Sequence, residues 1–320
     1  VGSGIIKGDS MRNLALLFPG QGAQYIGMGK DFADSFLVAR ETFQEADDIL
    51  KEHLSRIVFE GPETELVKTK NSQLGIFVTS AAILRCLPEL KPRMCAGLSL
   101  GEYTALWASG RLSFKDTLLL VQQRAIFMNE ACEETKGTMA AVLGLNATAI
   151  DEALADSRDV WVANYNCPGQ TVISGTKDGV EAAAVVLKQA GAKRVIPLSV
   201  HGAFHSGLMK RAQDNLTPFI ARAPMVDSGI DFVMNASGAF AFSVDEIRKL
   251  LTDQVTHSVR WEQGILAAEK KKIDLYIEIG CGKTLAGLNK KIGVSAQTLS
   301  VEKVADIDEV VGQLRNLFHA

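Results

Sequence analysis

Hydrophobic positions fall in two rhythms along this chain. Asn13 to Phe18 (NLALLF) is an unbroken apolar run, which predicts a strand buried on both faces in a parallel sheet. Pro19-Gly20-Gln21-Gly22 ends it as a loop, and Met28 to Leu50 then carries a helical spacing. Gln73 to Leu87 predicts a strongly apolar helix stopped before Pro88. Arg93 to Ala96 predicts a short buried strand, Glu102 to Ala108 the first turns of a helix, and Phe114 to Glu134 a long amphipathic helix.

The rhythm then changes. Thr138 to Leu145 predicts a strand, Thr148 to Ala155 a helix, Val160 to Tyr165 and Thr171 to Ser174 two strands. Val180 to Ala190 predicts a helix and Lys193 to Val200 a last strand. The order βαββαβ is that of a split-βαβ, ferredoxin-like unit, inserted into the chain. Strand and helix alternation resumes afterwards, with Leu275 to Ile279 (LYIEI) as a central strand. The expected domains are 11–134 with 199–320 as a large α/β unit, and 135–198 as the small one.

Composition narrows the class. Hydrophobic residues make up 47% and charged residues 22% of the 320, ordinary for a globular enzyme. The formal net charge of -3 argues against general nucleic-acid binding. No apolar run reaches membrane-spanning length. Five scattered cysteines without CxxC spacing predict reduced thiols in a reducing compartment, hence the cytoplasm. Val1 to Ser10 reads as a cloning remnant before Met11; were those residues native, a processed organelle precursor would be the alternative.

Gly97-Leu98-Ser99-Leu100-Gly101 lies between the strand ending at Ala96 and the helix opening at Glu102. That is the form of a nucleophile elbow, which presents a serine on a sharp strand-to-helix turn. Free N–H groups at the helix start can receive an oxyanion. A serine hydroxyl needs a base. Of five histidines, His53 and His319 fall in surface stretches, while His201 and His205 lie in the loop re-entering the large unit. The His201/His205 spacing also permits metal ligation, but no third ligand accompanies it, so no metal is expected.

Five segments in order resemble the malonyl-CoA:acyl-carrier-protein transacylases. They are Phe18-Pro19-Gly20-Gln21-Gly22-Ala23-Gln24, Gly97 to Tyr103, Asn166-Cys167-Pro168-Gly169-Gln170, Gly202-Ala203-Phe204-His205-Ser206 and Ile279 to Leu285. The resemblance runs from Leu14 to beyond Ile292. It implies an α/β-hydrolase-like large domain with a parallel central sheet plus the inserted ferredoxin-like small domain. It also implies malonyl transfer from malonyl-CoA to the holo acyl carrier protein in fatty-acid synthesis, with no bound cofactor and neither nucleic acid nor membrane as partner. Ser99 would be the nucleophile, His205 the base, and the backbone amides of Gln21 and Leu100 the oxyanion hole. Arg124 would pair with the malonyl carboxylate, with Phe204 and Asn166 also at the substrate. The main-chain carbonyl of Arg260 would orient His205, with Asp178 the alternative acid.

Two departures stand out. Leu98 occupies a place the family often gives to His, and His257-Ser258-Val259-Arg260 one that often begins Asn-Pro. For an acidic carrier the candidate docking residues are Lys283, Lys290 and Lys291, then Lys210 and Arg211. A serine hydrolase such as a thioesterase would share Ser99 and His205 without needing Arg124. A non-catalytic carrier-binding module would have no use for a base beside a serine.

Overall fold

The computed structural model describes residues 13–200 and 202–319. The remnant reading of Val1 to Ser10, Met11 as start, and the readings of His201 and of the His319 side chain lie outside the described residues.

Ten strands occur among the described residues. They are β1 (Leu14–Phe18), β2 (Met94–Gly97), β3 (Gly137–Leu143), β4 (Val160–Cys167), β5 (Gln170–Thr176), β6 (Arg194–Pro197), β7 (Asp231–Met234), β8 (Ala239–Ala241), β9 (Leu275–Ile279) and β10 (Gln297–Val301). They form a six-stranded sheet, ordered β10-β9-β1-β2-β7-β8, and a four-stranded sheet, ordered β4-β5-β3-β6. The larger sheet is parallel apart from the β7–β8 hairpin, and the smaller is antiparallel throughout.

β1 explains its own apolar run. Leu14, Leu16 and Phe18 enter a core with the helices Thr69–Arg85 and Phe114–Thr135 on one face. Ala15 and Leu17 enter a second core with Trp261–Glu269 and Thr284–Ile292 on the other. Side chains alternate across a strand, so a strand covered on both faces must be apolar at every position.

Several boundaries differ from expectation. The stretch 28–50 is two helices, Lys30–Ser35 and Leu37–Leu50, broken at Phe36, whose backbone is extended. The apolar helix starts earlier, at Thr69, because its first turns bury polar Asn71, Ser72 and Gln73. β7, β8 and β10 were not foreseen. They are short, and β8 and β10 are sheet edges, where apolar patterning is weak.

The smaller sheet carries Ala147–Leu154 and Lys177–Gln189, which close a third core around Val142, Ile150, Ile173 and Leu187. A strap joins the two sheets' surroundings. The Tyr165 amide donates to the Val259 carbonyl at 2.9 Å, and the Val259 amide to Ala163 at 2.8 Å. No helix among the described residues is long and apolar enough to cross a membrane.

Candidate active site

Ser99 sits at the C-terminal end of β2, where sites of open α/β sheets gather. Its φ is +52°, a left-handed conformation that a non-glycine residue holds only under constraint from its surroundings. The constraint is visible. A Cβ on Gly97 would lie 1.9 Å from the Gly101 carbonyl carbon, and one on Gly101 would lie 2.1 Å from the Phe18 carbonyl oxygen. Asn235 braces the turn, its Oδ1 accepting the Ser99 amide at 2.6 Å and its Nδ2 donating to the Gly97 carbonyl at 2.8 Å.

The Ser99 hydroxyl lies 2.7 Å from His205 Nε2. His205 is buried and itself left-handed, with φ +57°. Burial, reinforced by the Arg124 charge, pulls its pKa down to about 4, so the ring is neutral at pH 7 and free to take a proton. The other ring nitrogen, Nδ1, bonds the Gln254 carbonyl oxygen at 2.8 Å, which favours a proton on Nδ1 and leaves Nε2 as acceptor. This corrects the sequence reading. Gln254 holds the histidine, and the Arg260 carbonyl instead receives the Gly264 amide at the start of a helix. The difference arises because the helix Val244–Gln254 ends against His205, leaving its last carbonyl unused by the helix. Asp178 is exposed on the small-sheet helix Lys177–Gln189, and among the described residues no acid bonds His205 Nδ1 in place of that carbonyl.

Arg124 is 1% exposed, in the middle of Phe114–Thr135. Desolvation lowers its pKa. Its guanidinium is held by three oxygens: Gln73 Oε1 at 2.6 Å, Gln254 Oε1 at 2.9 Å and Ser99 Oγ at 3.1 Å. A buried cation supplied only with neutral acceptors has retained its capacity for an anion. The Tyr103 ring lies 5.2 Å from it.

Leu100 is the residue before the helix Gly101–Ala108, and the amides after it already bond Leu98 and Ser99 carbonyls. Among the described residues neither the Leu100 nor the Gln21 amide has a protein acceptor. The Gln21 side chain accepts from Gln73 Nε2 at 3.4 Å. Phe204 and Asn166 are both buried, and Asn166 Oδ1 has no hydrogen-bond partner among the described residues. Leu98 is partly buried against the second core. A cleft of about 300 Å³ reaches His205 between Trp161 and Tyr165 on one side and Thr256 to Ser258 on the other.

Four residues of this network were not singled out from sequence: Gln73, Glu102, Asn235 and Gln254. Two carried a signal. Gln254 continues the buried stripe of Ile247 and Leu251, and Gln73 is the last polar residue before the apolar run Leu74 to Val78. Glu102 is fully buried, its carboxyl oxygens accepting from the Asn235 amide and from Gln254 Nε2 at 2.6 Å. Burial pushes its pKa up, against those two N–H bonds and the Arg124 charge. Geometry favours the carboxylate all the same: each oxygen accepts from an N–H, and among the described residues neither faces an acceptor to which a carboxyl proton could donate.

The model of the acyl transferase domain matches residues 15–310, nearly the whole described chain. The chain belongs to the acyl transferase family. The family member of Bacillus subtilis named malonyl CoA-acyl carrier protein transacylase is 41% identical over 311 residues, covering 95% of this chain and 98% of its own. Among solved acyl transferases, the transacylase of that name from Clostridium perfringens superposes with a TM-score of 0.91 at 37% identity, covering 95% of this chain and 98% of its own. A malonyl-transacylase in complex with a type II PKS acyl-carrier protein superposes with a TM-score of 0.90 at 36% identity, covering 94% and 99%.

Of the candidate docking cations, Lys283 pairs with Asp306 at 3.5 Å, Lys210 with Asp214 at 2.7 Å, and Arg211 with Glu134. Lys290 and Lys291 are exposed at the end of Thr284–Ile292. Among the described residues neither has a carboxylate partner, and Lys291 donates to neutral Gln170 at 2.9 Å.

Proposed function

We propose that this chain transfers a malonyl group from malonyl-CoA to the phosphopantetheine thiol of an acyl carrier protein, through a malonyl ester on Ser99, in fatty-acid synthesis. One observation carries the reading: a buried guanidinium stands 3.1 Å from the nucleophilic oxygen. A malonyl group carries its carboxylate one methylene from the carbonyl under attack, and a planar guanidinium fork suits it. A plain esterase has no use for that cation.

In the first half-reaction Ser99 Oγ bonds the thioester carbon while His205 Nε2 takes the hydroxyl proton. Negative charge on the carbonyl oxygen falls to the Leu100 and Gln21 amides. Breaking the carbon–sulfur bond releases coenzyme A, whose sulfur receives the proton from His205. In the second half His205 removes the proton of the carrier thiol, whose sulfur attacks the ester carbon. Ser99 leaves as the alkoxide and recovers the proton. The Gln254 carbonyl stabilises the imidazolium in each half, where a carboxylate serves in other serine enzymes.

The cleft lined by Trp161, Tyr165 and His257 admits the thiol arm. Phe204 crowds the α-carbon of the acyl group and Asn166 holds the substrate. Phe204→Ser should raise methylmalonyl transfer relative to malonyl, and Asn166→Ala should raise the KM for malonyl-CoA. Unchanged values would remove each from the pocket. No bound cofactor is required by this chemistry, and the cytoplasm is the compartment that fits reduced thiols.

The domain reading follows the same line. The order β4-β5-β3-β6 with two helices on one face supports a ferredoxin-like small domain over 135–198. The parallel sheet with the elbow after β2 supports an α/β-hydrolase-like large domain over 11–134 and 199–320. Mixing the protein with malonyl-CoA and holo carrier protein tests the function. Malonyl-carrier should accumulate in preference to free malonate; release of malonate alone would make the chain a thioesterase.

A further inference from the structure

Glu102 is fully buried behind the nucleophile yet touches neither Ser99 Oγ nor His205, and it makes no ion pair among the described residues. Burying a carboxylate without a contacting cation is costly, and a neutral glutamine could equally accept the Asn235 amide, so bracing that amide does not by itself call for a charged group. What the carboxylate offers is polarity. It only accepts hydrogen bonds, whereas a guanidinium only donates them.

Between these two groups lies the Gln254 side chain, an amide with one face of each kind. Its Nε2 donates to Glu102 Oε2 at 2.6 Å and to the Ser99 carbonyl at 2.9 Å. Its Oε1 therefore faces the other way and accepts from Arg124 Nη2 at 2.9 Å. The same Nη2 reaches Ser99 Oγ. A chain of fixed donor and acceptor directions thus runs from Glu102 through Gln254 to Arg124.

We propose that Glu102 is a positioning residue for acyl selection: it holds the Gln254 amide with its oxygen towards Arg124, and so fixes the guanidinium that reads the acyl carboxylate. The proposal rests on the malonyl-transfer reading. Glu102 also accepts the Asn235 amide, and Asn235 braces the elbow. That second arm serves every acyl group alike, so selectivity separates the two roles.

Glu102→Gln is nearly isosteric and inverts one end of the chain. With its oxygen kept by the Asn235 amide, the new NH2 faces the NH2 of Gln254. Relief by turning Gln254 over would set two donors, Gln254 and Arg124, against each other. The measurement is kcat/KM for acylation of Ser99 by malonyl-CoA and by acetyl-CoA, which lacks the carboxylate. Glu102→Gln should lower the malonyl-to-acetyl ratio about tenfold or more, chiefly through the malonyl KM, with acetyl acylation held within about threefold. Gln254→Met, which keeps the backbone carbonyl on His205 but gives up the side-chain bond to the Ser99 carbonyl, should lower the malonyl-to-acetyl ratio to the same extent while slowing acetyl acylation as well. Adding Glu102→Gln to Gln254→Met should lower the ratio no further, since the link is already cut.

Equal loss for both acyl groups, or losses that multiply in the double variant, would overturn the role. Should Glu102→Gln not fold, Gln254→Met still decides, because an unchanged ratio there would break the chain at its middle. Wild type that failed to load malonyl-CoA would sink the underlying reading instead. Wild type that loaded it, with Glu102→Gln keeping the ratio, would remove Glu102 alone.

Discussion

At the scale of single residues, the account turns on Arg124 and His205. Arg124→Ala would leave a malonyl carboxylate buried without its cation, a cost of about 3–5 kcal/mol for a broken buried pair. At about tenfold in rate per 1.4 kcal/mol, malonyl transfer should fall by several hundredfold or more, while acetyl transfer falls far less. Parallel rates for the two substrates would contradict it. His205 is a base in its neutral form, and its lowered pKa keeps that form populated above about 4. The acylation rate at saturating malonyl-CoA should therefore stay flat between about pH 5 and 7 and decline only as pH falls towards 4. A midpoint near the ordinary histidine value of about 6.5 would show that the ring is solvated in the working enzyme. Ser99 was legible from its own turn, whose glycines and flanking strand and helix are local. His205 and Arg124 were assigned through the family resemblance, since a loop histidine or a helix arginine carries no such mark by itself. The Gln254 carbonyl was not legible, because a main-chain oxygen carries no residue signature and becomes available only where a helix happens to end.

Among the elements, the elbow is the most tightly determined. β1, β2 and the helix Gly101–Ala108 approach so closely that a side chain at Gly101 would strike the Phe18 carbonyl. Gly101→Ala should cost about 1–3 kcal/mol or more from overpacking and lower the melting temperature measurably. It should also reduce Ser99 acylation by displacing the helix start that supplies the Leu100 amide. An unshifted melting temperature with full activity would mean the contact relaxes without consequence. β1 was readable because burial on both faces leaves no polar position in it. β9 was readable because its one polar position, Glu278, is flanked by apolar residues and buried, with its carboxyl accepting the Leu285 and Ala286 amides at 3.0 Å. β10, Gln297–Val301, alternates Thr298 and Ser300 with Leu299 and Val301 at a sheet edge. β7 has four residues and β8 three, too few for a period to show. The smaller sheet was readable in full order because its strands and helices alternate at lengths near their ordinary means.

For the whole molecule, net charge is a poor guide to the partner surface. At -3 the protein does not attract an acidic carrier overall, so attraction has to be local. Lys283, Lys210 and Arg211 are engaged in ion pairs, and we propose Lys290 and Lys291 as the docking pair. Reversing both to Glu should slow transfer to holo carrier protein, with a loss that shrinks as salt rises, and leave acylation by malonyl-CoA nearly intact. Equal slowing of both half-reactions would place the docking surface elsewhere. Sequence placed Lys283, Lys290 and Lys291 ahead of Lys210 and Arg211 but could not separate Lys283 from the other two, because its partner Asp306 lies in a segment that only the fold brings near.

The covalent intermediate joins all three scales, and following it through one turnover is the most direct test. The protein is mixed with malonyl-CoA, freed of excess donor, mapped by peptide mass spectrometry, and then given holo carrier protein. The malonyl group should appear on Ser99, be absent from Ser99→Ala, and pass to the carrier thiol faster than it is lost to water. A malonyl group found on a cysteine, or one on Ser99 that only water removes, would contradict transfer through this serine.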